Sequence, residues 1–322
     1  MAKNETKKEQ ILFSRCCDEW LKQKENSIKI SSYYNYKFAV EKHIKPALGD
    51  KTLEELEKYD FNDFIKYEKA NISDLMDTKK FFFGNTEDFN LKSIVVKLRS
   101  ILNYTTKKYG IIFDLDALIG IASNSTEIDI FNEKEFKKMT KYLLESNLLK
   151  EIGVLISLYS GLRIGEVCGL KWSDIDFENG LLSVNRTVQR LYMGKNEKSK
   201  IVITKPKTKK SKRKIPISKV LLKKFKEYEN KYPQEAFVLT GRTDKFYEPL
   251  AYRYDYKMVL EKCNIQYRNY HQLRHFFASN CISVGMDAKS LSEVLGHSSI
   301  GITMNLYVHS NNEIKKKYID RL

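Results

Sequence analysis

The chain has 322 residues, room for about two domains of ~100–200 residues each, and its 42% hydrophobic content with 17 Phe and 20 Tyr excludes global disorder. It carries 57 Lys plus Arg against 41 Asp plus Glu, a formal net charge of +16, which points to a polyanion, with nucleic acid the foremost candidate. The longest uncharged apolar run, Gly153 to Leu162, is about half of the ~20 residues a membrane span needs, and Met1 to Gln10 leads into no signal-like stretch, so a soluble, cytoplasmic chain without a membrane partner is expected.

The first ~115 residues read as helices. Ile11, Cys16, Trp20 and Leu21 fall near helical spacing, as do Tyr34, Phe38 and Ile44. Pro46 and Gly49 break the pattern, and Thr52 with Glu55 forms a capping box for the next helix. Residues 73–90, with Gly84, Asn85 and Thr86, read as a loop. Leu91 to Tyr109 is an amphipathic helix with Ile94, Leu98, Ile101 and Leu102 on one face, closed by Gly110. Asp114 to Ile130 holds no long periodic pattern and is the expected connection, giving an all-α domain over 1–115, a linker over 116–130 and a second domain over 131–322.

The second domain opens on another capping box, Asn132 with Glu135, and continues with a buried helix over Ile152 to Tyr159. The helix after that is expected to end at Ser173 to Asp176. Leu181 to Tyr192, Ile201 to Lys205 and Lys212 to Ile217 are rich in β-branched residues and are expected to form one small sheet. Helices resume at Lys219, so the fold class is mainly α with a small β-sheet, an α+β domain behind an all-α one.

Charge is unevenly spread. Residues 1–125 hold 21 basic and 19 acidic side chains, and residues 126–322 the remaining 36 and 22. Lys198 to Ile217 alone holds nine Lys or Arg and no acid, interleaved with Ile201, Val202, Ile203, Ile215 and Ile217, the pattern of strands flanking a basic turn. The five Cys include no C-x-x-C pair and read as small core hydrophobes, not as a disulfide or zinc framework.

Four of the five His, His271, His275, His297 and His309, lie within 39 residues. His271 and His275 stand four apart, as zinc ligands often do, but Gln272, Leu273 and Arg274 lie between them where a zinc hydrolase needs a glutamate, and Arg274 would repel the metal. A phosphate suits them better: His271 and Arg274 share a helical face, and an Arg fork matches two phosphate oxygens. The stretch Ser160-Gly161-Leu162-Arg163-Ile164-Gly165-Glu166 has the same character, although Arg163 could equally spend itself on a salt bridge to Glu166.

Ser160 to Asp176 (S-G-L-R-I-G-E-V-C-G-L-K-W-S-D-I-D), His271 to His275 (H-Q-L-R-H), Leu295 to Ser299 (L-G-H-S-S) and Tyr307 to His309 (Y-V-H) together resemble the tyrosine recombinases, the phage-integrase-like enzymes. The resemblance covers the C-terminal ~190 residues closely; the N-terminal part is similar to the family's helical core-binding domain in outline. It implies that Tyr307 is the nucleophile forming a 3′-phosphotyrosyl link, that Arg163 and Arg274 hold the nonbridging oxygens, and that His271 shares the nucleophile's proton. It implies further that His297 hydrogen-bonds the phosphate and that Lys207, at the turn of the basic hairpin, protonates the leaving 5′-oxygen, with Lys209 the other candidate. Glu166 and His275 are then supports, His309 is without a role, and no cofactor or metal is needed. Ile300-Gly301-Ile302-Thr303 departs from the Ser-Thr-Thr of many relatives, a change expected to affect helix packing and not chemistry.

The implied activity is site-specific recombination of duplex DNA through a Holliday junction, by a homotetramer on DNA that is monomeric off it, with an accessory directionality factor as a further partner. Integration or excision of a mobile element leads; DNA inversion and Xer-like dimer resolution share the motifs. A type IB topoisomerase and a non-enzymatic DNA-binding protein are the rivals from other classes. Because helical sequence starts near Ile11, an extra arm-binding domain is not expected. Ile314, Tyr318 and Leu322, with Ile319 beside them, form an apolar stripe on a short tail helix, expected to dock on a neighbouring protomer.

Overall fold

The computed structural model describes residues 11–28, 30–77, 87–123, 130–191, 199–204, 212–297, 299–307 and 320, with residues 31, 72–77, 87–90, 120–123, 302 and 305–307 described by backbone alone. It divides into two compact units, residues 1–127 with 191–200, and residues 128–190 with 201–322. Among the described residues no helix is long and apolar enough to cross a membrane.

The first unit is helical. Helix α1 (Phe13–Glu25) buries Phe13, Cys16, Cys17, Trp20 and Leu21, a stripe at helical spacing. Helix α2 (Ile30–Ala39) runs through a π-type turn at Val40–Ile44 into α3 (Lys45–Leu48). Helix α4 (Leu53–Glu57) begins at the expected capping box: the Glu55 amide donates to Thr52 Oγ1 at 3.2 Å and the Thr52 amide donates to Glu55 Oε2 at 2.7 Å. Helices α5 (Phe61–Asp77) and α6 (Glu87–Tyr109) follow. Leu91, Ile94, Val95, Leu98, Ile101 and Leu102 of α6 are all buried against the α1 stripe and Phe64, each worth roughly 1.5–3 kcal/mol of burial. Gly110 ends α6 with a left-handed φ of 79°.

Two expectations for this part are corrected. Residues 73–77 and 87–90, expected in a loop, belong to α5 and α6, while 78–86 lie outside the described residues. Residues 116–123, expected in the linker, form α7 (Asp116–Ser123). Asp114 Oδ1 accepts the Asp116 amide at 3.0 Å to start it, and Leu118 is fully buried in the first core. Only two apolar turns make this helix, too few for a periodic pattern to stand out.

The second unit is centred on α9 (Leu149–Ser160), whose residues 151–158 are all buried. Around it stand α8 (Glu133–Glu145), started by the Asn132–Glu135 capping box, and α10 (Ile164–Cys168), α11 (Lys219–Lys226), α12 (Pro249–Lys262) and α13 (His271–Ser283). Helices α14 (Ala288–Leu295) and α15 (Ile300–Tyr307) complete the described part. The helix before the strands ends at Cys168, earlier than expected: Trp172–Asp174 is a 3-10 turn, and Ile175–Asp176 is already strand β1. Four of the five Cys are buried, as core residues are; Cys281 is partly exposed.

Among the described residues the expected single sheet is two. Strands β1, β2 (Leu181–Val184) and β5 (Arg213–Pro216) form an antiparallel sheet with Leu182 opposite both Ile175 and Ile215. Strands β3 (Thr187–Leu191) and β4 (Lys200–Thr204) pair separately. Leu182, Val184 and Ile215 turn into the core, whereas β4 keeps Ile201 and Ile203 exposed, so β4 has no buried face to draw it into the first sheet.

Candidate active site

The site is assembled within the second unit by two tight turns that aim backbone carbonyls at arginines. Helix α9 ends at Gly161, whose φ of 65° is left-handed; a side chain there would meet Phe277 at 2.5 Å. Helix α14 ends at Gly296, again with φ 65°, pressed against the Arg213 guanidinium. These turns present the Gly161 and Leu295 carbonyls to Arg274, which donates from Nη1 to Gly161 O at 2.8 Å and from Nη2 to Leu295 O at 2.7 Å. Arg274 lies on α13 and is 1% exposed, so its guanidinium plane is fixed.

Arg163 converges on the same place. It is the N-cap of α10, and its Nη1 reaches the Leu295 carbonyl at 3.4 Å, so both guanidiniums meet at one oxygen. Both readings of Arg163 hold in its geometry, for Nη1 also donates to Glu166 Oε1 at 3.1 Å, while its amide donates to Glu166 Oε2 at 2.9 Å. Glu166 in turn receives Arg213, Nη1 to Oε1 at 3.1 Å and Nη2 to Oε2 at 3.0 Å, and Arg213 Nε donates to the Val294 carbonyl at 2.6 Å. Burial pushes the Glu166 carboxyl pKa up, but the charge and hydrogen bonds of Arg213, joined by Arg163, outweigh it and hold the pKa at about 2.

The histidines gather beside these cations. His271 begins α13, and its ring meets that of His275 edge-on at 4.7 Å. Desolvation by its crowded surroundings and the charges of His275, Arg274, Arg163 and His297 lower the pKa of His271; since the residue stays exposed, the charges are the part that counts. Burial and Arg274 lower His275 as well. His297 follows Gly296 and is buried, and burial with Arg274, Arg163 and Arg213 lowers its pKa to about 4. Its Nδ1 lies 2.8 Å from Thr303 Oγ1 on α15, and Thr303 is fully buried.

The structure therefore brings Arg163, His271, Arg274 and His297 into one cluster with the supports Glu166 and His275. Tyr307 closes α15, one helical turn beyond Thr303; its side chain is outside the description. Lys207, Lys209 and His309 lie outside the described residues, as does the tail stripe of Ile314, Tyr318, Ile319 and Leu322. Among the described residues, strands β4 and β5 belong to different sheets. Two residues of the cluster escaped sequence reasoning. Arg213 was hidden among the nine cations of Lys198 to Ile217, and Thr303 was read as a packing variation.

Electrically the cluster is a basin of positive charge in which three imidazoles are held neutral. A cation is repelled from it, and among the described residues no group of three or more His, Cys, Asp or Glu is placed to hold a metal. An anion with several oxygens is what such a basin complements.

Residues 129–313 match the sequence profile of the Phage integrase family. The chain belongs to this family. Residues 12–68 match the phage integrase N-terminal SAM-like domain. The chain is 34% identical over 214 residues to the tyrosine recombinase XerC-like protein of Caldanaerobacter subterraneus, covering 61% of this chain and 54% of that one. It is 23% identical over 333 residues to the ICEBs1 integrase of Bacillus subtilis, covering 98% of this chain and 84% of that one. Among solved structures, the Tn1549 transposon integrase in complex with circular intermediate DNA has the same fold, with a TM-score of 0.70 at 19% identity over 97% of this chain and 99% of that one. The chain matches about half the length of the first of its curated relatives.

Proposed function

We propose that this phage integrase family member is a site-specific DNA recombinase. The observation that carries the reading is the convergence of Arg163 and Arg274 on the Leu295 carbonyl, beside histidines kept neutral by burial and by that charge. A phosphodiester entering this basin exchanges repulsion among cations for attraction, and its own charge raises the histidine pKa values toward the range where a proton can be taken up. The Tyr307 hydroxyl oxygen attacks phosphorus and its proton passes to His271. The new Tyr–O–P bond replaces the P–O5′ bond, and Lys207 gives a proton to the departing 5′-oxygen. Arg163, Arg274 and His297 stabilise the charge gathering on the nonbridging oxygens. The phosphodiester energy is kept in the phosphotyrosyl bond, so rejoining reverses the step, and two such exchanges pass through a Holliday junction.

The biological reading we favour is integration and excision of a mobile element, by a homotetramer on two DNA sites. Its support is likeness along nearly the whole chain to an integrase from Bacillus subtilis. A Xer-like role is the second reading, supported by the 34% identical XerC-like relative. In the first unit a groove of about 460 Å³ between α1 and α6 is lined by Lys24, Arg99 and Lys107 together with Gln23 and Asn103. Its cations suit phosphates and its amides suit base edges, which is support for DNA as the substrate.

The test is capture of covalent adducts from a library of nicked duplexes in the presence of EDTA. A denaturant-stable adduct enriched for one sequence is expected. Adduct without sequence enrichment, together with relaxation of supercoils, makes the chain a topoisomerase; strict dependence on a divalent ion or no adduct at all overturns the mechanism.

A further inference from the structure

His297 is buried, and as a neutral imidazole it carries one N–H. Which nitrogen holds that hydrogen is set by the bond the other makes. To donate to a phosphate through Nε2, Nδ1 must accept. The group at Nδ1 is the Thr303 hydroxyl at 2.8 Å, on a side chain with no exposed surface, carried by the helix that ends at Tyr307. A carboxylate there would force the hydrogen onto Nδ1, and an aliphatic side chain would leave Nδ1 facing apolar surface. A hydroxyl can donate to neutral imidazole and, by rotating, accept from imidazolium, so it serves the ring both before and after a phosphate adds its negative charge.

We propose that Thr303 is a positioning residue that holds His297 as the Nε2–H donor toward the scissile phosphate, and that it does so only while the helix bearing Tyr307 is docked. Docking of the nucleophile helix and arming of the phosphate-binding histidine are then one event. The Ile300-Gly301-Ile302-Thr303 segment bears on the chemistry, not only on packing. This inference rests on the recombinase reading for the phosphate, and on the structure alone for the histidine.

The test uses the full chain. Imidazole ¹⁵N shifts, assigned to His297 through His297→Gln, are read without DNA at neutral pH in the wild type, Thr303→Val and Thr303→Ser. The wild type and Thr303→Ser are expected to show Nδ1 as the acceptor and Nε2 protonated, and Thr303→Val to lose that preference. On the nicked duplex selected above, Thr303→Val is expected to slow adduct formation about 10- to 100-fold, at or below the loss of one oxyanion donor, with DNA affinity unchanged. Thr303→Ser is expected to restore the rate, which a role in packing alone would not produce. Should the valine variant fold poorly, Thr303→Ala carries the same expectation. A wild-type tautomer and rate in the hydroxyl-free variant overturn the proposal. If the wild type forms no adduct, the recombinase reading fails, and the shifts alone decide for or against the action of Thr303 on His297.

Discussion

Arg213 holds Glu166 by both carboxylate oxygens, Nη1 to Oε1 at 3.1 Å and Nη2 to Oε2 at 3.0 Å, and both side chains are almost wholly buried. The pair does more than fill space. Glu166 also accepts from the amide and the Nη1 of Arg163, so the position of Arg163 is inherited from Arg213 through one carboxylate.

Breaking that pair on one side is expected to be costly. Arg213→Met removes the stronger partner and leaves a buried carboxylate, with a loss of about 3–5 kcal/mol, whereas Arg213→Met with Glu166→Gln recovers part of it. Urea unfolding of the wild type, Arg213→Met, Glu166→Gln and the double variant measures this. An additive double variant would mean that the two side chains do not depend on each other.

The same groups set two pH windows. The Glu166 pKa falls from 4.5 to about 2 on folding, so its contribution is complete above pH 4.5 and is lost as pH drops toward 2. His297 falls from 6.5 to about 4, so between those values the unfolded chain takes up a proton that the folded one refuses. Stability is therefore complete above pH 6.5 and declines on acidification through this range. Unfolding midpoints at several pH values are expected to show a smaller decline in His297→Gln, and in the wild type when a duplex is bound.

How much of this could be read from the sequence depends on how local each feature is. The Thr52–Glu55 and Asn132–Glu135 capping boxes form where four-residue patterns place them, because each is closed within one turn. The Arg163–Glu166 contact was legible for the same reason. Strand pairing was not: β4 and β5 have similar basic, β-branched composition, and only burial of Leu182 and Ile215 in one core decides that β5 joins β2. Arg213 and Thr303 gain meaning only from partners 47 and 6 positions away, brought in by packing that no periodicity encodes.

His43, in the π-type turn of the first unit, lies with Nδ1 2.7 Å from Glu68 Oε2, and Glu68 is fully buried, with no hydrogen bond to Oε1 among the described residues. His43→Leu strands that carboxylate and is expected to destabilise the first unit by about 3–5 kcal/mol, while adding Glu68→Leu restores most of the loss. Denaturant melts followed by a probe in the first unit distinguish this from a surface effect of His43, which would leave the double variant no better than the single.

Tyr307, closing α15 one turn beyond Thr303, is proposed to supply the oxygen of a covalent bond to DNA. The most direct test is to form the adduct on the selected nicked duplex, digest the protein and identify the nucleotide-bearing peptide by mass spectrometry, in the wild type and in Tyr307→Phe. A 3′-phosphotyrosyl nucleotide on Tyr307 is expected in the wild type, and in Tyr307→Phe normal DNA binding with no adduct. An adduct on any other residue, or one that persists in Tyr307→Phe, would contradict it.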